Sequence, residues 1–356
     1  YEAWRSTNPD KAAELDAGID LAENGLCCCK SGDMIPEFAP GAKLATRASG
    51  SVAQNAIGAA CPGLLSTSAD LFSSNKNYLE GAGDFSADNY AGRNFWFGIR
   101  EHAMGAICNG IAYDGLFRVS AGTFCVFVDY MRASIRVAAL SHLPVTYVLT
   151  HDSVAVGEDG PTHQPVETVT GLRVIPNLDV IRPADEEETA GAWMCAMRRR
   201  KGPTALILTR QNVPSLASVA DIPADVRRKG VRKGAYIALK EKTEKPGLII
   251  IASGSEVILA LQAAQQLGDD VRVVSMPSMF RFNMQTPEYQ EEILPAACTR
   301  RVSVEAGKRD LWYRYVGPQG AIISIDDFGF SAPGDVVLHD LGMNVDNIVA
   351  TAKSLA

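Results

Sequence analysis

The chain has 356 residues, enough for two ordinary domains, and its 47% hydrophobic and 21% charged content is that of a folded globular protein. Its longest apolar run, residues 247–252, is far shorter than the roughly 20 residues of a membrane-spanning helix. A formal net charge of −7 argues against a nucleic-acid partner, because binding to a phosphate backbone needs clustered lysine and arginine. A small phosphorylated ligand held by a few local cations stays compatible with this charge.

The eight cysteines favour reduced thiols over a disulfide framework or a zinc site. Three of them form the run Cys27–Cys28–Cys29, which the sequence does not explain, and the others are scattered singly. No CxxC pair occurs, and the five histidines do not fall at zinc-ligand spacing. Reduced thiols favour an intracellular compartment. Because the sequence begins at Tyr1 without a signal-peptide pattern, we expect it to start inside a longer polypeptide or to have lost a preceding part.

The first part of the chain, residues 1–42, is expected to be a connecting segment with a helix near Asp10–Ala22. From 43 to 214, apolar β-rich runs alternate with stretches of helix-forming composition. Thr146–Thr150 and Thr204–Thr209 have the continuous apolar character of buried strands. This alternation predicts a parallel sheet covered by helices.

The second part of the chain repeats the pattern after a looser, proline-containing linker at 215–245. Residues 246–356 open with a predicted strand, Leu248–Ala252, followed by a helix for which Ser255 has the chemistry of an N-cap and Glu256 suits the first turn. We therefore predict an α/β fold of two doubly wound domains, each a mostly parallel sheet flanked by helices.

A loop after the strand Thr146–Thr150 concentrates groups that can transfer protons. His151, His163 and several carboxylates lie within residues 150–164, bracketed by glycines. Ligands of open α/β sheets bind at the carboxyl ends of strands, so this loop favours acid–base chemistry. Either histidine taken alone is more often structural.

Three further clusters are less specific. Glu101 precedes a helix of small residues and would on its own be interpreted as a solvated surface carboxylate. Phe124, Phe127 and Tyr130, at spacings of three, form a stripe that is usually core. Arg210 ends a predicted strand, where a cation can reach a ligand. The residues alone thus predict an α/β enzyme with an acid–base loop and arginines for an anion.

Several motifs resemble those of transketolases in order and in spacing. They are Ser-Ala-Asp-Leu (68–71), Arg-Glu-His-Ala-Met (100–104), Thr-His-Asp-Ser (150–153), Gly-Glu-Asp-Gly-Pro-Thr-His-Gln-Pro-Val-Glu (157–167), Arg-Gln-Asn (210–212), Gly-Ser-Glu (254–256) and Val-Glu-Ala-Gly (304–307). By this resemblance, residues 43–214 are expected to be a pyrimidine-binding domain and 246–356 a transketolase C-terminal domain.

The resemblance implies thiamine diphosphate as cofactor. Glu101 matches the catalytic glutamate, which hydrogen-bonds N1′ of the cofactor's aminopyrimidine. Phe124 and Phe127 match aromatics that pack the pyrimidine, with Tyr130 beside them. Asp70 matches an acid that borders the cofactor site.

The resemblance also implies ketose and aldose phosphates as substrates. His163 and Asp159 match residues that contact the sugar hydroxyls near the reacting carbons, where His163 is expected to act as a proton shuttle. The residues matching those that hold the sugar's terminal phosphate are Arg47, Ser74, His151 and Arg210.

A whole transketolase also has an N-terminal domain that binds the diphosphate through Mg²⁺ or Ca²⁺. Its Gly-Asp-Gly motif is absent from this sequence, so we expect no metal ligands here and no activity without that domain. The resemblance further implies a homodimer, in the cytoplasm or alternatively in the plastid.

Alternative functions divide into two kinds. The β-type component of a 2-oxo acid dehydrogenase and 1-deoxyxylulose-5-phosphate synthase are not expected to carry this histidine loop together with this phosphate set. Dihydroxyacetone synthase remains an alternative function for this sequence. An inactive binding or regulatory paralogue should have lost Glu101 or the phosphate set, and both are present.

Overall fold

The structure, a computed structural model, describes residues 1–24, 34–39 and 41–355. The cysteine run at 27–29 lies outside these ranges. Two main sheets, of six and five strands, are each flanked by helices, so the predicted fold of two doubly wound α/β domains is confirmed. In the described part of the chain, no helix combines the length and apolar character needed to cross a membrane.

The strands are numbered in chain order, and the helices are named by their bounds. The strands are β1 Lys43–Leu44, β2 Leu64–Ser68, β3 Asn94–Trp96, β4 Arg118–Phe124, β5 Thr146–Thr150, β6 Asp179–Ile181, β7 Thr204–Leu208, β8 Val213–Pro214, β9 Tyr236–Leu239, β10 Leu248–Ala252, β11 Val271–Ser275, β12 Arg301–Val304 and β13 Ala321–Ile323. The α-helices are Glu2–Thr7, Pro9–Asn24, Thr46–Ala60, Phe72–Asn75, Glu101–Asp114, Arg132–Leu140, Thr168–Arg173, Glu186–Arg198, Ala224–Lys233, Glu256–Leu267, Met279–Asn283, Pro287–Ile293, Tyr313–Val316, Gly334–Asp340 and Val345–Ser354. Short 3₁₀ helices span Cys125–Met131, Val154–Asp159 and Leu216–Ser218.

The first sheet has the order β3-β2-β4-β5-β7-β6, and all its pairings are parallel. Its central strands β4, β5 and β7 are buried at every position, and β5 and β7 are the two that the sequence predicted as buried strands. Because the strands are parallel, their carboxyl ends meet at one edge of the sheet. The loops that follow the strands are thereby brought together.

The second sheet has the order β13-β12-β10-β11-β9 and is parallel except for β9, which pairs antiparallel with β11. The segment 215–245, expected to be a linker, contributes this edge strand. It also contains the helix Ala224–Lys233, which packs against the helix Glu186–Arg198 of the first domain. The strand and the helix were not predicted, because the segment is polar and contains prolines. Edge strands and interdomain helices carry few apolar residues.

A buried acidic run at the start of the helix Glu186–Arg198 connects the first domain to this segment. The Asp185 side chain caps the helix and pairs with Arg227, which also lies 3.0 Å from Glu186. Glu187 pairs with Arg228. Each carboxylate therefore has a cationic partner from the helix Ala224–Lys233, which makes their burial tolerable.

Glu188 continues this run and contacts the second sheet directly. Its carboxylate accepts hydrogen bonds from the hydroxyls of Tyr236 at 2.8 Å and Ser275 at 2.6 Å, and from the backbone N–H of Ala184 at 2.8 Å. Burial, and then the charge of Asp185, raises the pKa of Glu188 to about 7. The domain interface thus contains a carboxyl group that titrates near neutrality.

Glu188→Gln is expected to remove part of the pH dependence of stability. A carboxyl whose pKa is raised from 4.5 to about 7 on folding contributes stability below pH 4.5, and this contribution is lost as the pH rises through 7. Between pH 4.5 and pH 7 the wild-type chain should lose roughly 3 kcal/mol of unfolding free energy relative to the variant. Urea unfolding of both proteins across this range measures the difference, with the exposed Glu244→Gln as control. Parallel pH profiles for Glu188→Gln and the unvaried chain would contradict this expectation.

Candidate active site

Most of the predicted site residues lie at the carboxyl edge of the first sheet. Asp70 follows β2, Glu101 follows β3, Phe124 ends β4, His151 follows β5, and Arg210 lies just after β7. Five separate segments of the chain therefore contribute to one edge. This is where ligands bind in open parallel sheets.

The aromatic wall consists of Phe124, Phe127 and Tyr130. Cys125–Met131 is a 3₁₀ helix with Phe124 at its N-cap, and three residues per turn place positions three apart on one face. The Phe124 and Phe127 rings are stacked, with centroids 5.6 Å apart, and the Phe127 and Tyr130 centroids are 6.0 Å apart. The wall runs from Phe124, which is 8% exposed, to Tyr130, which is 68% exposed. The stripe therefore runs from the core to the surface and is not only core.

The two histidines of the loop contact this wall. The His151 ring stacks on Phe124 with centroids 3.7 Å apart, and the half-buried His163 ring meets Phe127 edge-on at 5.4 Å. The Thr162 hydroxyl lies 2.9 Å from Nδ1 of His163. Residues far apart in sequence thus form one aromatic and imidazole cluster.

Glu101 is the first residue of the helix Glu101–Asp114 and is only 6% exposed. A carboxylate is favoured there by the helix dipole. Its Oε1 accepts a hydrogen bond from Thr123 at 3.4 Å, and Thr123 directly precedes the aromatic wall. Within the described ranges, its Oε2 accepts no hydrogen bond. This burial excludes the solvated surface carboxylate that Glu101 taken alone would suggest.

Arg47 and Arg210 form a basic pair because Thr46 and Thr209 bond reciprocally. The Thr46 backbone N–H donates to the Thr209 hydroxyl at 2.8 Å, and the Thr209 N–H donates to the Thr46 hydroxyl at 2.7 Å. This fixes the start of the helix Thr46–Ala60 against the end of β7. Arg47 also donates from Nη1 to the Ser74 carbonyl at 2.6 Å, which brings Ser74 to the pair.

The basic pair is electrostatically strained. Burial, and then the charge of Arg210, lowers the pKa of the half-buried Arg47. Among the residues described, no carboxylate forms an ion pair with either arginine. A half-buried guanidinium group that feels the charge of a second one, with no carboxylate paired to either, is an arrangement that an anion would stabilise.

His151 is neutral in this setting. Burial, then Arg47, Arg210 and His163, lower its pKa to about 3. Its φ of 63° is in the left-handed region. The Thr150 hydroxyl lies 2.8 Å from Nδ1 of His151 and donates to Oδ1 of Asn75 at 2.7 Å. Since a hydroxyl has one proton, Nδ1 of His151 donates to it in this arrangement, which leaves Nε2 as an acceptor.

Within the described part of the chain, two predicted site residues make no hydrogen bond, ion pair or ring contact with the others. Asp70 is exposed, with φ of 66°, and Asp159 is exposed at the end of the 3₁₀ helix Val154–Asp159. No group of three or more histidine, cysteine, aspartate or glutamate side chains suited to a metal ion occurs in the described ranges.

An interdomain latch centred on Arg182 was missed by the sequence-based reasoning. The Arg182 guanidinium pairs with Asp152, directly after His151, at 2.8 Å, and with Glu256 and Glu305 of the second domain. Glu305 also pairs with Arg173 at 2.6 Å. Three carboxylates and two arginines from both domains are thus buried together beside the histidine loop.

The predicted capping role of Ser255 is wrong in one respect. Ser255 occupies the N-cap position of the helix Glu256–Leu267, but its side chain makes no capping hydrogen bond. Its hydroxyl donates instead to Oε1 of Glu256 at 2.6 Å. Glu256 is oriented towards Arg182, so the Gly-Ser-Glu motif stabilises the domain interface.

The fold and the edge cluster define the class of an α/β protein with a candidate ligand site at the carboxyl edge of a parallel sheet. A family model described as transketolase, pyrimidine binding domain, matches residues 42–215, and one described as transketolase-like TK C-terminal domain matches 234–344. The chain belongs to the transketolase family.

Individual transketolases are similar over nearly the whole chain. That of Physarum polycephalum is 55% identical, over 99% of this chain and 52% of the relative. The solved structure from Leishmania mexicana has a TM-score of 0.91 at 38% identity, over 99% of this chain and 51% of that one. A Pichia stipitis transketolase in complex with sedoheptulose 7-phosphate has a TM-score of 0.90 at 34% identity, over 99% and 52% respectively. The chain spans about half the length of these relatives.

Proposed function

We propose that this chain is the half of a transketolase that supplies the catalytic glutamate and the sugar-phosphate site. The reaction is transfer of a two-carbon ketol unit from a ketose phosphate, such as xylulose 5-phosphate, to an aldose phosphate. The observation that supports this best is the uncompensated pair of Arg47 and Arg210 beside His151, on the same sheet edge as Glu101 and the aromatic wall.

The residues at this edge fit thiamine diphosphate. Glu101 has a buried carboxylate with Oε2 available to accept from N1′ of the aminopyrimidine, and the wall offers flat apolar rings with Phe127 and Tyr130 partly open. Asp70 would border the cofactor. Thiamine diphosphate, when bound, supplies the nucleophilic carbon that takes up the two-carbon unit. Its diphosphate and the Mg²⁺ or Ca²⁺ would be held by an N-terminal domain, within a homodimer.

The phosphate of the sugar would lie between Arg47 and Arg210, with Ser74 and His151 completing its contacts. Because His151 is neutral, the two arginines provide the charge and the imidazole provides one hydrogen bond. A hydrogen bond from Nε2 requires the proton on that nitrogen, which rotation of the Asn75 amide would allow. Nδ2 of Asn75 is buried and has no partner within the described residues, so its rotation loses no bond. Asp159 and His163 would contact the sugar hydroxyls.

The proposal is tested on a completed enzyme, defined as this chain joined to the N-terminal half of a whole transketolase. It should form sedoheptulose 7-phosphate from xylulose 5-phosphate and ribose 5-phosphate, with the chain alone giving no turnover. Preference for formaldehyde as acceptor would indicate a dihydroxyacetone synthase. No transfer to either acceptor would overturn the proposal.

Arg47→Ala and Arg210→Ala are each expected to raise KM for xylulose 5-phosphate far more than KM for unphosphorylated hydroxypyruvate. A charge-assisted hydrogen bond to phosphate contributes roughly 1.5–3 kcal/mol, which corresponds to about a tenfold to hundredfold effect. Steady-state kinetics of the completed enzyme with both donors measure the difference. The exposed Arg200→Ala, at the far end of the helix Glu186–Arg198, is the charge-matched control. Equal loss with both donors would contradict the phosphate assignment.

A further inference from the structure

Gln164 lies between the two domains at the end of the loop that carries His163. Its side chain is 2% exposed. Its Nε2 donates to the Gly157 carbonyl at 2.9 Å and to the carbonyl of Phe330, in the second domain, at 3.0 Å. The amide has two N–H protons, and both are used. One closes the loop on itself, and the other joins the loop to the second domain.

The chemistry of these partners fixes the orientation of the Gln164 amide. Both are carbonyl oxygens, which only accept hydrogen bonds, so the reversed amide would place oxygen against oxygen. Within the described chain, Oε1 of Gln164 is buried without a hydrogen-bond partner. The side chain is therefore held by its two donors, which glutamate or alanine cannot reproduce.

The second domain is shaped to receive this part of the loop. A Cβ at Gly329 would lie 2.2 Å from Oε1 of Gln164, so only glycine leaves room for the amide. The Ser331 hydroxyl donates to the Glu158 carbonyl at 2.6 Å. Gly157, with φ of 82°, approaches Gly334 so closely that a Cβ there would lie 2.9 Å from its nitrogen. These contacts all converge on residues 157–164.

The loop held in this way carries His163, whose backbone N–H donates to the Gly160 carbonyl at 2.9 Å and whose ring meets Phe127. We propose that Gln164 is a positioning residue: by bonding Gly157 to Phe330 it lets the second domain set where His163 stands at the active site. This rests on the proposed transketolase function. It assigns the second domain a part in turnover in addition to any part in assembly.

Arg47 and Arg210 lie outside this loop, which allows turnover and phosphate binding to be separated. In the completed enzyme, Gln164→Ala should lower kcat with xylulose 5-phosphate roughly 10- to 100-fold, because small misplacements of a reacting group are costly. The inhibition constant of inorganic phosphate should change by less than about twofold. Gly329→Ala, made in the other domain, should give the same pattern.

Thr170→Val is the matched control, because the Thr170 hydroxyl makes an interdomain hydrogen bond to the Lys308 carbonyl away from the loop. It should leave kcat unchanged. Amide hydrogen exchange in residues 157–163 of the chain itself should accelerate in Gln164→Ala and Gly329→Ala but not in Thr170→Val.

Unchanged kcat and unchanged exchange in Gln164→Ala would overturn the positioning role. Equal loss of kcat in Thr170→Val would do so too, because the effect would then belong to the interface in general. A completed enzyme without transferase activity before any substitution would overturn the proposed function, and the role of Gln164 in turnover with it.

Discussion

Glu101→Gln is expected to lower turnover of the completed enzyme by roughly 100-fold or more while the fold stays intact. The carboxylate is nearly buried, and one oxygen is already bonded to Thr123. A carboxamide has the same size and keeps that bond through its own oxygen. It cannot balance positive charge on a protonated ring nitrogen, and losing a positioned proton-transfer group costs about 10²- to 10⁴-fold.

The decisive measurement for Glu101 is the rate of hydrogen–deuterium exchange at C2 of thiamine diphosphate in the completed enzyme. The variant should exchange far more slowly, with unchanged circular dichroism. Glu167→Gln is the control, since Glu167 is an exposed carboxylate that also precedes a helix, Thr168–Arg173. Exchange at the unvaried rate in Glu101→Gln would show that the carboxylate does not act on the cofactor.

The elements that could be predicted from the sequence are those with a continuous apolar run between turn residues. Thr146–Thr150 and Leu248–Ala252 have the predicted bounds, and the helix predicted at Asp10–Ala22 lies within Pro9–Asn24. In the two strands, which are buried at every position, local pattern and burial agree. The strand Tyr236–Leu239 alternates between buried and half-buried positions at a sheet edge, so its pattern was too weak to find.

The position of the candidate site was predictable because parallel strands place their carboxyl ends together. The surroundings of each residue at this edge were less predictable from the sequence. Phe124 and Phe127 have the spacing of a core stripe, and only the 3₁₀ geometry of Cys125–Met131 turns this stripe into a wall that reaches the surface at Tyr130. Glu101 reads as a surface carboxylate, and its burial depends on how tightly its helix packs. A Cβ at Gly105 would lie 2.9 Å from Cβ of Ser134, a contact that no local pattern reveals.

Contacts between the domains could not be predicted, because their partners are distant in sequence and their residue types suggest exposure. Arg182 and Glu256 are 74 residues apart. An acidic run such as 185–188 is ordinarily solvated, since carboxylates are seldom fully buried unless paired. Here the pairing comes from Arg227 and Arg228 in a segment whose composition suggested a linker. Charge pairs across an interface form only once the fold brings their partners together, so the local sequence does not predict them.

Arg182→Met is expected to lower the unfolding free energy of the chain by roughly 3–5 kcal/mol, because it leaves buried carboxylates without their cation. Arg182 is 1% exposed, as is the side chain of Asp152, and Glu256 is similarly enclosed. Burial is the largest single effect on the pKa of Glu305 and raises it. The charges of Arg173 and then Arg182 nevertheless hold this pKa below its usual value. Glu305 therefore keeps a partner in the variant, and the cost falls on Asp152 and Glu256.

Two comparisons identify charge as the cause. Arg309→Met breaks an exposed pair with Asp326 and should cost at most about 1 kcal/mol. Adding Asp152→Asn and Glu256→Gln to Arg182→Met should restore much of the loss, since it removes the uncompensated charges while nearly keeping the volume.

Burial already raises the pKa of Asp152, and without Arg182 that pKa rises further. The deficit of the single variant should therefore shrink as the pH falls and Asp152 becomes neutral. Urea unfolding at two pH values measures both effects, and a loss no larger than that of Arg309→Met would mean that the latch does not hold the domains together.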